Sequence, residues 1–220
     1  MRRLSLLVIV LLLACALTVA VGAQQDSTSW SGEIGSEATV YPYFADTSWF
    51  SLSFNFASFT VSSTTSLSLV QTGPETYASP ISIVQAFGLA YAWNWFTLGS
   101  NLYMGIYPFP SAFSSATIYS KATLFDIPLG NPSSFSGGIG VSATVYPSVA
   151  ADDVWFDLSL VLDAFSVTSE TTFSLMPFGF SEQRIDLGFA FDGFSIYVWG
   201  ALSGAALDPS GGIGFWYGFP

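Results

Sequence analysis

The chain has 220 residues, one cysteine and no histidine, which excludes Ser-His-Asp and Cys-His catalysis and His-ligated zinc. Aromatic residues make up 17% of it and charged residues only 9%, against about 25% charged in an ordinary soluble domain. The formal net charge is −11, which excludes nucleic acid as a partner because phosphate binding needs clustered Lys and Arg.

The N-terminus reads as a secretory signal peptide over residues 1–23. Arg2 and Arg3 precede an apolar run from Leu4 to Val21, and Val21-Gly22-Ala23 is a small-residue cleavage site before Gln24. A retained anchor and lipidation at Cys15 are the alternatives. Cleavage removes the cysteine and two of the four basic residues, leaving Lys121 and Arg184 against fifteen acidic residues. Residues 24–220 are then a single domain without disulfide or thiol chemistry.

After residue 23 the periodicity is two, the strand signature. Residues 50–57 put Phe50, Leu52, Phe54 and Phe56 on one face, and Ser51, Ser53, Asn55 and Ala57 on the other. Residues 156–163 put Phe156, Leu158, Leu160 and Leu162 opposite Asp157, Ser159, Val161 and Asp163. The pattern predicts strands near 32–43, 48–57, 59–70, 82–93, 96–106 and 113–125, then near 137–147, 154–163, 165–176, 183–192, 194–203 and 211–219. Most run about ten residues, the length a tilted strand needs to cross a bilayer. Tight turns are expected at Ala57-Ser58, Asn94-Trp95, Asp163-Ala164 and Asp192-Gly193, alternating with longer connections. The stretch from Asp126 to Phe135 departs from this alternation, being long where a short turn is due.

One stretch is written twice. Residues 31–42 and 136–147 agree at nine of twelve positions. The match continues through Trp49-Phe50 and Trp155-Phe156, Phe59 and Phe165, Thr65 and Thr171. A weaker echo sets Gly88 and Ala90 against Gly188 and Ala190. An internal repeat over 31–125 and 136–219 predicts two like halves sharing one architecture.

At the level of pattern, residues 24–220 resemble the bacterial outer-membrane β-barrel (porin-like) proteins. Short turns on one side and longer loops on the other are their arrangement. The last strand, Gly212 to Pro220, is similar to their barrel-assembly signal at Gly214, Tyr217 and Phe219, departing from it at Gly212 and Pro220. The resemblance implies an antiparallel up-and-down barrel of about 12 strands, with both termini in the periplasm and the assembly machinery and membrane lipid as partners. Trp49, Trp93, Trp95, Tyr107, Trp155 and Tyr217 lie near strand ends, where interfacial girdles sit.

The charged residues of the predicted strands all fall on the small or polar face: Glu33, Glu37, Lys121, Asp157, Asp163, Glu170, Arg184, Asp186 and Asp192. In a membrane barrel these nine line the lumen, seven acidic against two basic, and favour cations as acidic rings do in channels. Small cations or solutes would be the ligands. No enzyme, cofactor or metal is expected. Asp152-Asp153 is too small a fragment for a calcium loop. Two other readings fit the same alternation. One is a closed structural barrel that binds a surface partner. The other is a secreted soluble β-sandwich, an adhesin or coat protein, with the apolar face turned inward.

Overall fold

The computed structural model describes residues 28–42, 44–70, 82–107 and 112–220. The expected signal peptide and parts of two expected loops lie outside the described residues. Twelve strands follow one another: β1 (Ser29–Tyr41), β2 (Ala45–Phe56), β3 (Phe59–Val70), β4 (Ser82–Trp93), β5 (Phe96–Tyr107), β6 (Ala112–Gly130), β7 (Ser133–Tyr146), β8 (Ala150–Leu162), β9 (Phe165–Leu175), β10 (Phe178–Phe191), β11 (Phe194–Ser203) and β12 (Asp208–Phe219). Each pairs antiparallel with its sequence neighbour, and β12 returns to pair with β1, so the sheet closes. Closure leaves no long edge and, among the described residues, no second sheet to stack on. The soluble sandwich is therefore corrected to a barrel.

Sidedness follows from the exposures. Ile34, Phe50, Leu52, Phe87, Leu98, Ile118, Phe156, Leu187, Phe189, Val198 and Phe215 are all exposed. They occupy one row, since cross-strand partners share a face: Ile34 pairs with Phe50 and Tyr217, and Leu187 with Val198. Among the described residues no large side chain is fully buried, and the buried apolar ones are Phe56, Ala116 and Ala201. The apolar rings form an outer coat. A globular core of 6–12 contacts per side chain is not what they build.

The turns are compact because their first residues take the left-handed conformation. Ala57, Asn94, Asp163 and Asp192 have φ of 48°, 50°, 56° and 48°. Asn and Asp enter this region readily, while Ala57 carries a Cβ penalty. At these turns a carbonyl accepts a bond from the next strand but one. Ala92 N–H donates to Ser58 at 2.8 Å, and Ala190 N–H to Ala164 at 2.7 Å.

Three expectations change. The stretch from Asp126 to Phe135 is no loop: β6 and β7 run on through it, Ile127 pairing with Phe135, and turn at Asn131-Pro132. The connection is short after all. Asp163 and Asp192 leave the strands, which end at Leu162 and Phe191, and sit in the turns. The Gly88/Gly188 echo is two residues out of step. Thr60 pairs with Ala90 and Ser166 with Gly188, so Gly188 stands where Ala90 does.

Candidate pore lumen

The inner row is identified by a contact that skips two strands. Arg184 on β10 and Glu37 on β1 are separated by β11 and β12, yet Arg184 Nη2 donates to Glu37 Oε2 at 2.7 Å. A chord of this kind exists only on the concave side. Arg184 Nη2 also donates to Asp186 Oδ1 at 2.7 Å, and its guanidinium lies 4.6 Å from the Trp199 ring centre. Tyr197 Oη donates to Glu37 Oε2 at 2.7 Å. The path is open because β12 presents Gly212 and Gly214 there. A Cβ on either would overlap the Trp199 or Tyr197 ring. Planar guanidinium, carboxylates and an aromatic face together make a strong charge-assisted cluster.

Register carries this row around the wall. Arg184 pairs with Glu170, and Glu170 with Asp157. Lys121 Nζ meets Asp157 Oδ1 at 3.1 Å, and the two side chains pack over Gly138, where a Cβ would stand 3.2 and 3.0 Å from them. Glu33, four residues before Glu37, accepts a bond from Trp49 Nε1 at 2.5 Å. Seven of the nine expected charges thus share the inner row of the strands. The other two, Asp163 and Asp192, stand in turns at one end.

Further carboxylates belong to the row because the strands are longer than alternation alone implied. Glu182 accepts from Ser203 Oγ at 3.1 Å, and Asp153 from Ser174 Oγ at 3.3 Å. Asp126 pairs with Ser136 on β7. The three sit where β6, β8 and β10 run past the bounds that alternation implied.

Five large aromatics of the inner row lie against the wall. Trp49 covers Gly35, Tyr119 covers Gly99, Trp155 covers Gly140, Tyr197 covers Gly214 and Trp199 covers Gly212, each where a Cβ would collide with the ring. Bare glycine backbone on one strand accepts the flat ring of the next, as in aromatic rescue of sheet glycines. The rings therefore spend their volume on the wall. Cavities remain along it. One of about 450 Å³ is bounded by Arg184, Asp186, Tyr197 and Trp216. Another of about 470 Å³ is bounded by Glu33, Ser51, Ser53 and Trp216. Trp49 and Trp155 are accordingly wall residues and not girdle residues. Trp93 and Trp95 stay outside, both 65% exposed, with Tyr107 and Tyr217 also exposed.

The outer row is not wholly apolar, which alternation had missed. Gln85 pairs with Thr65 there. Thr65 Oγ1 donates to Gln85 Oε1 at 2.6 Å, and Gln85 Nε2 donates to Ser63 Oγ at 2.9 Å. The same trio recurs at the opposite side of the barrel. Thr171 Oγ1 donates to Gln183 Oε1, and Gln183 Nε2 donates to Ser169 Oγ at 2.9 Å. Asp46, also outward, accepts from Ser36 Oγ at 2.7 Å near the strand end. The two trios pair donor with acceptor within the sheet, as polar atoms on an apolar face require.

Twelve antiparallel strands closed on themselves, apolar rings outside and polar side chains within, are the architecture of the porin-like outer-membrane β-barrels. The resemblance is one of class. Among solved structures, the chain is similar to the KdgM porin at 12% identity and TM-score 0.54, over 86% of this chain and 99% of that one. It also aligns with a multiply substituted porin of Rh. blastica at 10% identity and TM-score 0.41, over 88% and 99% of the two chains. The β domain of the Bordetella autotransporter BrkA aligns at 13% identity and TM-score 0.42, over 87% and 99%. No protein-family model matches the sequence, and no curated protein matches it.

Proposed function

We propose that this protein is a bacterial outer-membrane barrel that forms a small passive pore with a preference for cations. The observation that carries the reading is the folding of five inner aromatics onto glycines, which takes their volume out of the lumen. Eight-stranded barrels are filled by their own side chains, and larger ones leave room. The outer coat of Phe, Leu, Ile and Val suits lipid. Full burial of such a side chain is worth about 1.5–3 kcal/mol, and an outward Arg or Lys at mid-bilayer would cost about 2–4 kcal/mol.

Cation preference rests on how the charges pair. Both bases of the inner row are engaged: Lys121 by Asp157, Arg184 by Glu37 and Asp186. Glu33, Glu170, Glu182 and Asp153 have no cationic partner among the described residues. The pore-lining set is Glu33, Glu37, Lys121, Asp157, Glu170, Arg184 and Asp186, with Asp163 and Asp192 at one mouth. A field of unneutralised carboxylates in a narrow channel concentrates cations.

The rest of the reading follows from the same frame. Residues 1–23 direct export and are removed. The termini lie on the periplasmic side with the short turns. Gly214, Tyr217 and Phe219 on β12 present the assembly signal. The matched trios around Gln85 and Gln183 support descent of the two halves from one duplicated hairpin set. Passive conduction needs no catalytic group, and none is assigned. Single-channel recording in planar bilayers tests the reading. The expected result is stable conductance with a reversal potential favouring K⁺ over Cl⁻. Absence of conductance, or anion preference, would sink it.

A further inference from the structure

The charges of the wall are segregated. Strands β2, β3, β4 and β5 are contiguous in the closed sheet, and their one charged residue, Asp46, lies on the outer row beside Ser36. Their inner row is uncharged, with hydroxyls and amides on β2, β3 and β5 and the small residues Ala86, Gly88 and Ala90 on β4. Ser51 Oγ and Thr64 Oγ1 lie 2.9 Å apart, and Thr60 Oγ1 donates to Asn55 Oδ1 at 2.7 Å. Asn101 pairs with Gly88, and Trp49 lies on Gly35 at the margin. The strand charges of the lumen stand on the remaining arc, from β6 through β10 to β1.

Comparison of matched positions sharpens the contrast. The hairpin β2–β3 pairs Ser51 with Thr64, and β8–β9 pairs Asp157 with Glu170 in the same register. The next strands bring Gly88 against Ser62 in one case and Asp186 against Thr168 in the other. The frame is alike, and only the chemistry differs. A pore that selected bare cations would gain nothing from confining its carboxylates to one side. A ring would serve as well.

We infer that the permeant class is a hydroxyl-rich solute carrying one amino group, such as an amino sugar. This deepens the pore reading and rests on it. Carboxylates only accept hydrogen bonds, which matches an ammonium that only donates. Hydroxyls and amides both donate and accept, which matches sugar hydroxyls in either sense. A solute with both ends satisfies both walls at once, its ammonium toward Glu170 and its hydroxyls toward Ser51, Thr64 and Asn101. The flat face of Trp49 meets its C–H groups.

Liposome swelling with glucose, glucosamine and gluconate, three probes of like size, tests this. Glucosamine is expected to enter about fivefold faster than glucose, the worth of one ion contact in water-like surroundings, and gluconate slowest. The double variant Thr64→Glu with Glu170→Thr moves one carboxylate to the other wall at constant net charge. It is expected to halve the glucosamine-to-glucose ratio or more. An unchanged ratio would mean that net charge alone matters and would overturn the inference while leaving the pore standing. Should the double variant fail to fold, the wild-type ranking decides: glucose entering as fast as glucosamine overturns it. Absence of both swelling and conductance removes the pore and this inference together.

Discussion

Arg184 and Glu37 meet at 2.7 Å across two intervening strands, with Tyr197 donating to the same carboxylate and Asp186 closing the other side. Replacing Arg184 by Gln keeps most of the bulk and removes the charge. Glu37 and Asp186 are then released into the lumen. The K⁺ to Cl⁻ permeability ratio is expected to rise severalfold, at about 1 kcal/mol per unit charge contact in water, read from the reversal potential in a salt gradient. A ratio that falls or holds would show that the cluster does not face the conduction path.

Gly99 tests the claim that glycines keep the lumen clear. The three atoms nearest an added Cβ there all belong to the Tyr119 ring. Gly99→Val should displace that ring from the wall and lower unitary conductance. Tyr119→Ala should raise it. Opposite signs from two changes at one contact are hard to obtain from a general loss of folding, and single-channel amplitude reports them directly.

Gln85 gives a stability prediction with a sign reversal. Gln85→Leu alone strands the Thr65 and Ser63 hydroxyls on the outer row. That should cost about 1–3 kcal/mol, the penalty for polar groups left without partners. Changing all three together, Gln85→Leu with Thr65→Val and Ser63→Ala, removes every member of the trio and should be near neutral or stabilising. The urea midpoint of detergent-folded protein, followed by gel mobility with and without heating, distinguishes the two.

Ala57 holds φ 48° in a turn where its counterparts are Asn94, Asp163 and Asp192. Ala57→Gly removes the Cβ that opposes this conformation and should stabilise by about 1 kcal/mol. The same urea titration measures it. No gain would mean that the turn is held by its neighbours, as by the Ala92 N–H bond to Ser58.

Alternation was legible wherever a strand carried large residues at every second place, as from Phe50 to Phe56. It lost sight of Gln85 and Gln183 because a long polar side chain among Ile and Phe breaks the pattern it relies on. It also stopped short at Asp46, Asp126 and Glu182, where pairing with a neighbouring strand extends an element past the point at which its own sequence argues for it. Trp49 and Trp155 misled for another reason. A tryptophan near a strand end reads as a girdle residue. Only the glycine opposite, Gly35 or Gly140, shows that the ring is folded against the inner wall.

From the amino-acid order alone came the strands and which side chains share a face, since a period of two leaves no freedom once the chain is extended. That order also set the sparse, mainly acidic charge and the absence of histidine chemistry. Tertiary structure decided which face is inside. Closing β12 onto β1 turns the phenylalanines outward and brings Arg184 within reach of Glu37, a contact between residues remote in the chain. Pairing across the sheet, and not any local preference, also sorted the charged arc from the hydroxyl one.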